Sequence, residues 1–177
     1  MKILAFSGSN SSKSINQELI MICCKYLTTP FHIIELQRYQ IPMFSEDEER
    51  KNGFPTDLWS LYNTLKSSDA YIISIPEHNG NFPAFFKNIL DWLSRIDRRF
   101  FSAKPIFILN ASPGNTGDMV LQIAQSTFEY FKGSVIQSLS VKGFGMNQYS
   151  DENQTLIKAF IEQFEQICSA TEGQTNQ

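Results

Sequence analysis

The stretch Lys2-Ile3-Leu4-Ala5-Phe6-Ser7-Gly8-Ser9-Asn10-Ser11-Ser12-Lys13-Ser14-Ile15-Asn16 changes its period halfway along. Ile3 to Phe6 is a continuous apolar run of strand length, the pattern of a strand buried on both faces. Ser7-Gly8-Ser9 stops it. From Ser14 the apolar residues return at helical spacing, and Ile15, Leu19, Ile22, Cys23 and Tyr26 form one stripe. A buried strand that passes through a serine-rich loop into an amphipathic helix is the first half of a parallel strand–helix–strand unit.

The same alternation runs outward along the chain. Phe31 to Leu36 reads as a second strand, and Ala70 to Ile75 as a third, closed by Pro76. Ile106 to Leu109 is a fourth, closed by Ser112-Pro113-Gly114, and Ser134 to Val141 alternates as a more exposed fifth strand at an edge. Helices are expected from Asp57 to Ser67, after Asn81-Phe82-Pro83, across Val120 to Phe131, and from Ser150-Asp151 to Cys168. Asn81 is read as an N-cap and Pro83 as a first-turn residue. Five repeats of strand then helix imply a doubly wound parallel sheet of order 2-1-3-4-5 with helices on both faces. One domain spans residues 1–170, and a polar tail spans 171–177. The connection from Gln37 to Pro55 carries the charge run Glu46 to Lys51, and reads as a solvated excursion or as a loop reaching a neighbouring subunit.

Bulk properties narrow the function classes. The chain has 177 residues, 42% of them hydrophobic and 19% charged, with a net charge of -3. No basic excess exists to neutralise a nucleic-acid backbone. No apolar run reaches membrane-spanning length, and Met1 to Phe6 is too short for a signal peptide, so a cytoplasmic protein without a membrane partner is expected. Cys23, Cys24 and Cys168 form no CxxC pair, and neither His32 nor His78 has ligand spacing to them. Core thiols and no metal site are expected.

In an open sheet of this order the ligand lies beyond the carboxyl ends of the strands, where the strand order reverses. The loops after the first, third and fourth strands meet there. In the first, free backbone N–H groups and the positive end of a helix favour an anion, and Gly8 permits close backbone approach. The hydroxyls of Ser9, Ser11, Ser12 and Ser14 and the amide of Asn16 are potential donors, and Lys13 adds a cation. The loop is neither GxGxxG nor GxxxxGK[ST]. A serine-rich turn that only caps a helix is the alternative.

The third loop reads Pro76-Glu77-His78-Asn79-Gly80-Asn81-Phe82-Pro83, followed by Lys87-Asn88 and Asp91-Trp92-Leu93-Ser94. This string resembles the NADPH-dependent FMN reductase signature PEYNxSxPxxLKNxxDWxS, and the first loop resembles that family's phosphate motif GSxRxxSxN. The resemblance runs from Met1 to about Ser169. It implies a flavodoxin-like fold, tightly bound FMN, NAD(P)H as hydride donor, and a homodimer or dimer of dimers. It also implies a small-molecule electron acceptor: free flavin, a quinone, an azo compound or a metal oxyanion. Donor and acceptor would use the flavin in turn, a ping-pong scheme in which the cofactor carries the chemistry. No catalytic side chain is assigned.

Carried onto this sequence, Ser9, Ser11, Ser14, Ile15 and Asn16 would surround the FMN phosphate, and Pro76, Glu77, His78, Asn79 and Gly80 the ring edge. Ser112, Gly114, Asn115 and Thr116 of the fourth loop match by position and composition, with a helix-capping turn as the alternative. Phe85, Phe86 and Trp92 are expected to anchor a dimer through the third helix. Ser11 stands where the family usually has Arg, which removes a bidentate cation; Lys13 is a partial substitute, and the loss is about 1–3 kcal/mol without compensation. His78 stands where Tyr is usual, as a packing substitute or as a proton-transfer group. The rival readings are a non-catalytic FMN-binding electron carrier or regulatory flavoprotein, and a relative that has lost FMN.

Overall fold

The computed structural model describes residues 1–144 and 150–175. Strands β1 (Ile3–Ser7), β2 (Phe31–Ile34), β3 (Ala70–Ser74), β4 (Pro105–Ala111) and β5 (Ser134–Val141) form one parallel sheet of order 2-1-3-4-5. The helices are α1 (Ile15–Tyr26), α2 (Glu46–Asn52), α3 (Thr56–Lys66), α4 (Ala84–Ile96), α5 (Asp118–Tyr130) and α6 (Asp151–Thr175). Alternate residues of each strand serve opposite faces. Leu4, Phe6, Tyr71, Ile73, Ile106 and Ile108 pack under α3, α4 and α5, whereas Ile3, Ala5, Ile72, Phe107 and Leu109 pack under α1 and α6. Each fully buried side chain of this kind contributes about 1.5–3 kcal/mol. The central strands are therefore apolar on both faces, as the unbroken run Ile3 to Phe6 indicates.

The connection after β2 is solvated along its charge run, as expected, but it is structured and is tied down before that run. It contains a 3-10 turn (Leu36–Arg38) and α2, which buries no side chain. Ser45 Oγ accepts the Glu48 amide at 3.0 Å and starts α2, with acidic residues in its first turn and Arg50 and Lys51 in its last. The residues before α2 are pinned to α4. The Pro42 carbonyl accepts from Asn88 Nδ2 at 2.9 Å and from Trp92 Nε1 at 2.8 Å, while Asn88 Oδ1 accepts the Phe44 amide at 2.7 Å. The Phe44 ring meets Trp92 edge-on at 5.1 Å.

Three expectations change. Phe86 and Trp92 are 1% and 0% exposed inside the chain's own core, so they are not interface anchors; Phe85 alone is partly exposed. Asn81 is not the N-cap of α4: that place belongs to Pro83, and Asn81 Oδ1 accepts the Phe82 amide instead. The α6 helix continues through Thr171 to Thr175, into the segment read as a polar tail; residues 176 and 177 lie outside the described residues.

Candidate functional site

At the carboxyl end of the sheet, where β1 and β3 diverge in topology, the loops after β1, β3 and β4 enclose a cleft of about 270 Å³. Ser9, Ser11, Lys13, Ser14, Ile15 and Asn16 line one end. Backbone and hydroxyls are arranged as a local ladder: Ser7 Oγ accepts from the Ser9 amide at 3.2 Å, Ser9 Oγ from Ser11 at 3.1 Å, and Ser11 Oγ from Lys13 at 3.3 Å. Ser14 Oγ then accepts the Gln17 amide at 3.2 Å and starts α1. The amides of Ile15 and Asn16, first and second in the helix, have no acceptor among the described residues. Lys13 has no ion-pair partner among them either.

Asn16 has a second task. Its side chain is 2% exposed, and Oδ1 accepts from the Ala111 amide at 2.9 Å and from Ser74 Oγ at 2.8 Å. Its Nδ2 donates to the Ala111 carbonyl at 3.1 Å. The amide thus ties the start of α1 to the ends of β3 and β4, which fixes the distance between the three loops.

The other end of the cleft lies between two turns. His78 and Asn81 exchange backbone hydrogen bonds at 2.9 and 3.1 Å around Asn79 (φ 52°) and Gly80 (φ 73°), a tight turn with two left-handed residues. The Asn-Gly pair is what such a turn requires. The amides of Glu77, Asn79 and Gly80 have no acceptor among the described residues. Opposite, Ser112 Oγ accepts the Gly114 amide at 3.2 Å and shares a hydrogen bond with Thr116 Oγ1 at 2.9 Å. This turn is braced by the segment after β5, since the Phe144 amide donates to the Ser112 carbonyl and the Gly143 amide to the Gly114 carbonyl.

Pro76, Glu77, His78, Ser112 and Thr116 line the cleft together with Ser9, Ser11, Ser14, Ile15 and Asn16. Asn79, Gly80, Gly114 and Asn115 sit in the same two turns without lining it. Lys13, Asn110, Ala111 and Pro113 also line it and were not among the expected cofactor residues, although Lys13 was noted as a cation. Asn110 is the penultimate residue of β4, is fully buried, and donates Nδ2 to the Ile75 carbonyl at 2.7 Å. Its place in the last, wholly buried residues of a strand that ends at the cleft was the available signal. The cysteines lie elsewhere: burial pushes the Cys24 thiol up to about 12 and Cys23 higher still, so neither supplies a thiolate. Among the described residues no group of three His, Cys, Asp or Glu side chains could hold a metal, and no helix is long and apolar enough to cross a membrane.

A doubly wound sheet of this order, with a cleft beyond the carboxyl ends of its strands, is the flavodoxin-like arrangement. The family model described as NADPH-dependent FMN reductase matches residues 1–145, and the chain belongs to that family of oxidoreductases. It is similar to an NAD(P)H-dependent FMN reductase of Pseudomonas aeruginosa, 35% identical over 118 residues, which span 66% of this chain and 63% of that one. It is 31% identical over 159 residues to an uncharacterized Mycoplasma pneumoniae protein, spanning 84% of this chain and 94% of that one. Its fold matches an FMN-dependent NADH-azoreductase from Bacillus anthracis in complex with FMN, at a TM-score of 0.68 and 15% identity over 95% of this chain and 100% of that one.

The residues present fit FMN. A phosphate needs donors and positive potential, which the unpaired Ile15 and Asn16 amides and Lys13 provide at one end. The polar edge of a flavin ring needs donors and acceptors beside it, and Glu77, whose amide has no acceptor among the described residues, lines the cleft opposite Ser112 and Thr116.

Proposed function

We propose that this chain binds FMN tightly, with the phosphate on the N-terminus of α1 and the ring between the turns at 76–80 and 112–116. It then moves reducing equivalents from NAD(P)H to a small acceptor. The observation that carries this reading is one cleft with two helix amides and a lysine that have no partner among the described residues at one end and two polar turns at the other. When bound, FMN supplies the hydride chemistry.

The chain's own residues supply position and electrostatics. Ile15 and Asn16 amides and Lys13 hold negative charge, Ser9 and Ser11 present hydroxyls, and Asn16 keeps the three loops in register. The exposed His78 stands on the rim as the nearest titratable ring; water reaches the same place and no proton donor is required of the protein. Because one cleft serves both partners, donor and acceptor use it in turn. Free flavin, a quinone, an azo compound or a metal oxyanion is the acceptor class that the family resemblance implies. Assembly into a homodimer or dimer of dimers, in the cytoplasm, belongs to the same reading and rests on the family resemblance.

The test is the visible spectrum of the purified or FMN-reconstituted protein, followed by anaerobic NADPH. Bleaching of bound flavin and recovery on adding a quinone are expected. Bound flavin that NADPH and NADH both leave oxidised would instead mark an electron carrier.

A further inference from the structure

Helix α5 begins without a cap of its own. Its N-cap is Gly117, which has no side chain to offer, and the first-turn amides lie beside the cleft wall formed by 112–116. The missing acceptor comes from the opposite wall: Glu77 Oε2 accepts the Val120 amide at 3.1 Å, across 43 residues of sequence. A second contact lies beside it. A Cβ on Gly80 would stand 3.1 Å from Met119 Cε, so the tip of the 78–81 turn is seated against the side chain preceding Val120. Both contacts join the turn after β3 to the start of α5.

We propose that Glu77 is a positioning residue that sets the width of the ring slot by capping α5 from the opposite wall. The assignment rests on the reading of the cleft as a flavin site and names a task for one side chain in it. The side-chain oxygen serves here as a cap because it satisfies the first-turn donor of the buried Val120. The Glu77 backbone amide stays free for a ligand, because only the side chain is engaged. Without the carboxylate, nothing polar joins residues 76–81 to α5 among the described hydrogen bonds.

The experiment titrates apo-protein with FMN and with riboflavin, in wild type, Glu77→Ala and Glu77→Gln. Glu77→Ala is expected to weaken both flavins by the same factor, about five- to ten-fold. The amide oxygen of Glu77→Gln still accepts from Val120 and should restore both affinities to within about two-fold of wild type. A residue that only stabilised α5 would lower the melting temperature and leave both affinities of the folded protein unchanged, and that result overturns the proposal. So does a Glu77→Gln protein as weak as Glu77→Ala, which would assign the effect to charge rather than to the cap. Amide hydrogen exchange at Val120 in the apo-protein gives a readout that needs no flavin. Exchange should be faster in Glu77→Ala and near wild type in Glu77→Gln; unchanged exchange removes the cap. If wild type bound neither flavin, the cofactor reading would fail while the Val120 exchange still decided the role of Glu77.

Discussion

Two helices begin at the loops that form the cleft, and their first turns are capped from different sources. Helix α1 has its own cap in Ser14, yet leaves the Ile15 and Asn16 amides unpaired beside Lys13. Helix α5 has no cap of its own, yet receives a carboxylate from Glu77 and carries Asp118 in its first turn. Each leaves its first two amides without an acceptor among the described residues, so the difference is one of charge: Lys13 stands beside the start of α1, the open end, and the carboxylates of Glu77 and Asp118 stand at the start of α5, the closed end. On the proposed reading an anionic group prefers the end beside Lys13, which would orient a ligand that is charged at one end and flat at the other.

The most damaging way to break this contrast is at the closed end. Gly117 has φ 114°, and a Cβ there would overlap Asn110 Oδ1 and come within 2.8 Å of Ser140 Oγ. Gly117→Ala is expected to cost about 3 kcal/mol or more in chemical denaturation and to abolish binding of FMN and riboflavin alike. Removing the staple under both ends comes next. Asn16→Ala leaves the Ala111 amide and carbonyl and the Ser74 hydroxyl without their buried partner, for an expected loss of about 2–3 kcal/mol on the same assay.

A smaller change sharpens the contrast instead. Lys13→Ala removes charge from the open end only, so FMN affinity should fall about three- to ten-fold while riboflavin affinity stays the same. Titrations at low and high salt check it, because the Lys13 contribution should vanish as ionic strength rises. The smallest effect concerns the exposed Asp118. The hydrogen bond from Lys142 at 2.7 Å holds its carboxyl below the usual carboxylate range. With the native value below the unfolded one, the stabilisation is present above the ordinary carboxylate range and disappears as pH falls through the native value. Asp118→Asn should flatten that acid limb slightly in thermal melts and leave neutral-pH flavin affinity unchanged.

The open end was far more legible in the sequence than the closed one. Strand order and loop placement follow from local periodicity, and free amides at the start of α1 follow from the change of period at Ser14, because the first amides of any helix lack intrahelical acceptors. The tie from Glu77 to Val120 joins residues 43 apart, and no local pattern announces it. The same holds for Asn16, whose position beside the cleft was readable but whose three hydrogen bonds to β3 and β4 depend on how far the sheet brings those strand ends together. Phe86 and Trp92 illustrate a different limit. Apolar residues at helical spacing look alike whether they face a partner or the chain's own core, and here the segment at Pro42 and Phe44 covers Trp92 while Phe82 and Phe128 pack against Phe86. Helix α2 buries nothing, so it has no apolar stripe to read; its one local signal is Ser45 three residues before Glu48.

The contrast between the two ends reduces to one number, the ratio of FMN to riboflavin affinity in the wild-type apo-protein. The two ligands share the ring and differ in the phosphate, so the ratio isolates the open N-terminus of α1. It should be about 100-fold in favour of FMN at low salt and shrink as salt is added. Equal affinities at every ionic strength would contradict the account, because the unpaired amides of Ile15 and Asn16 would then have no phosphate to hold.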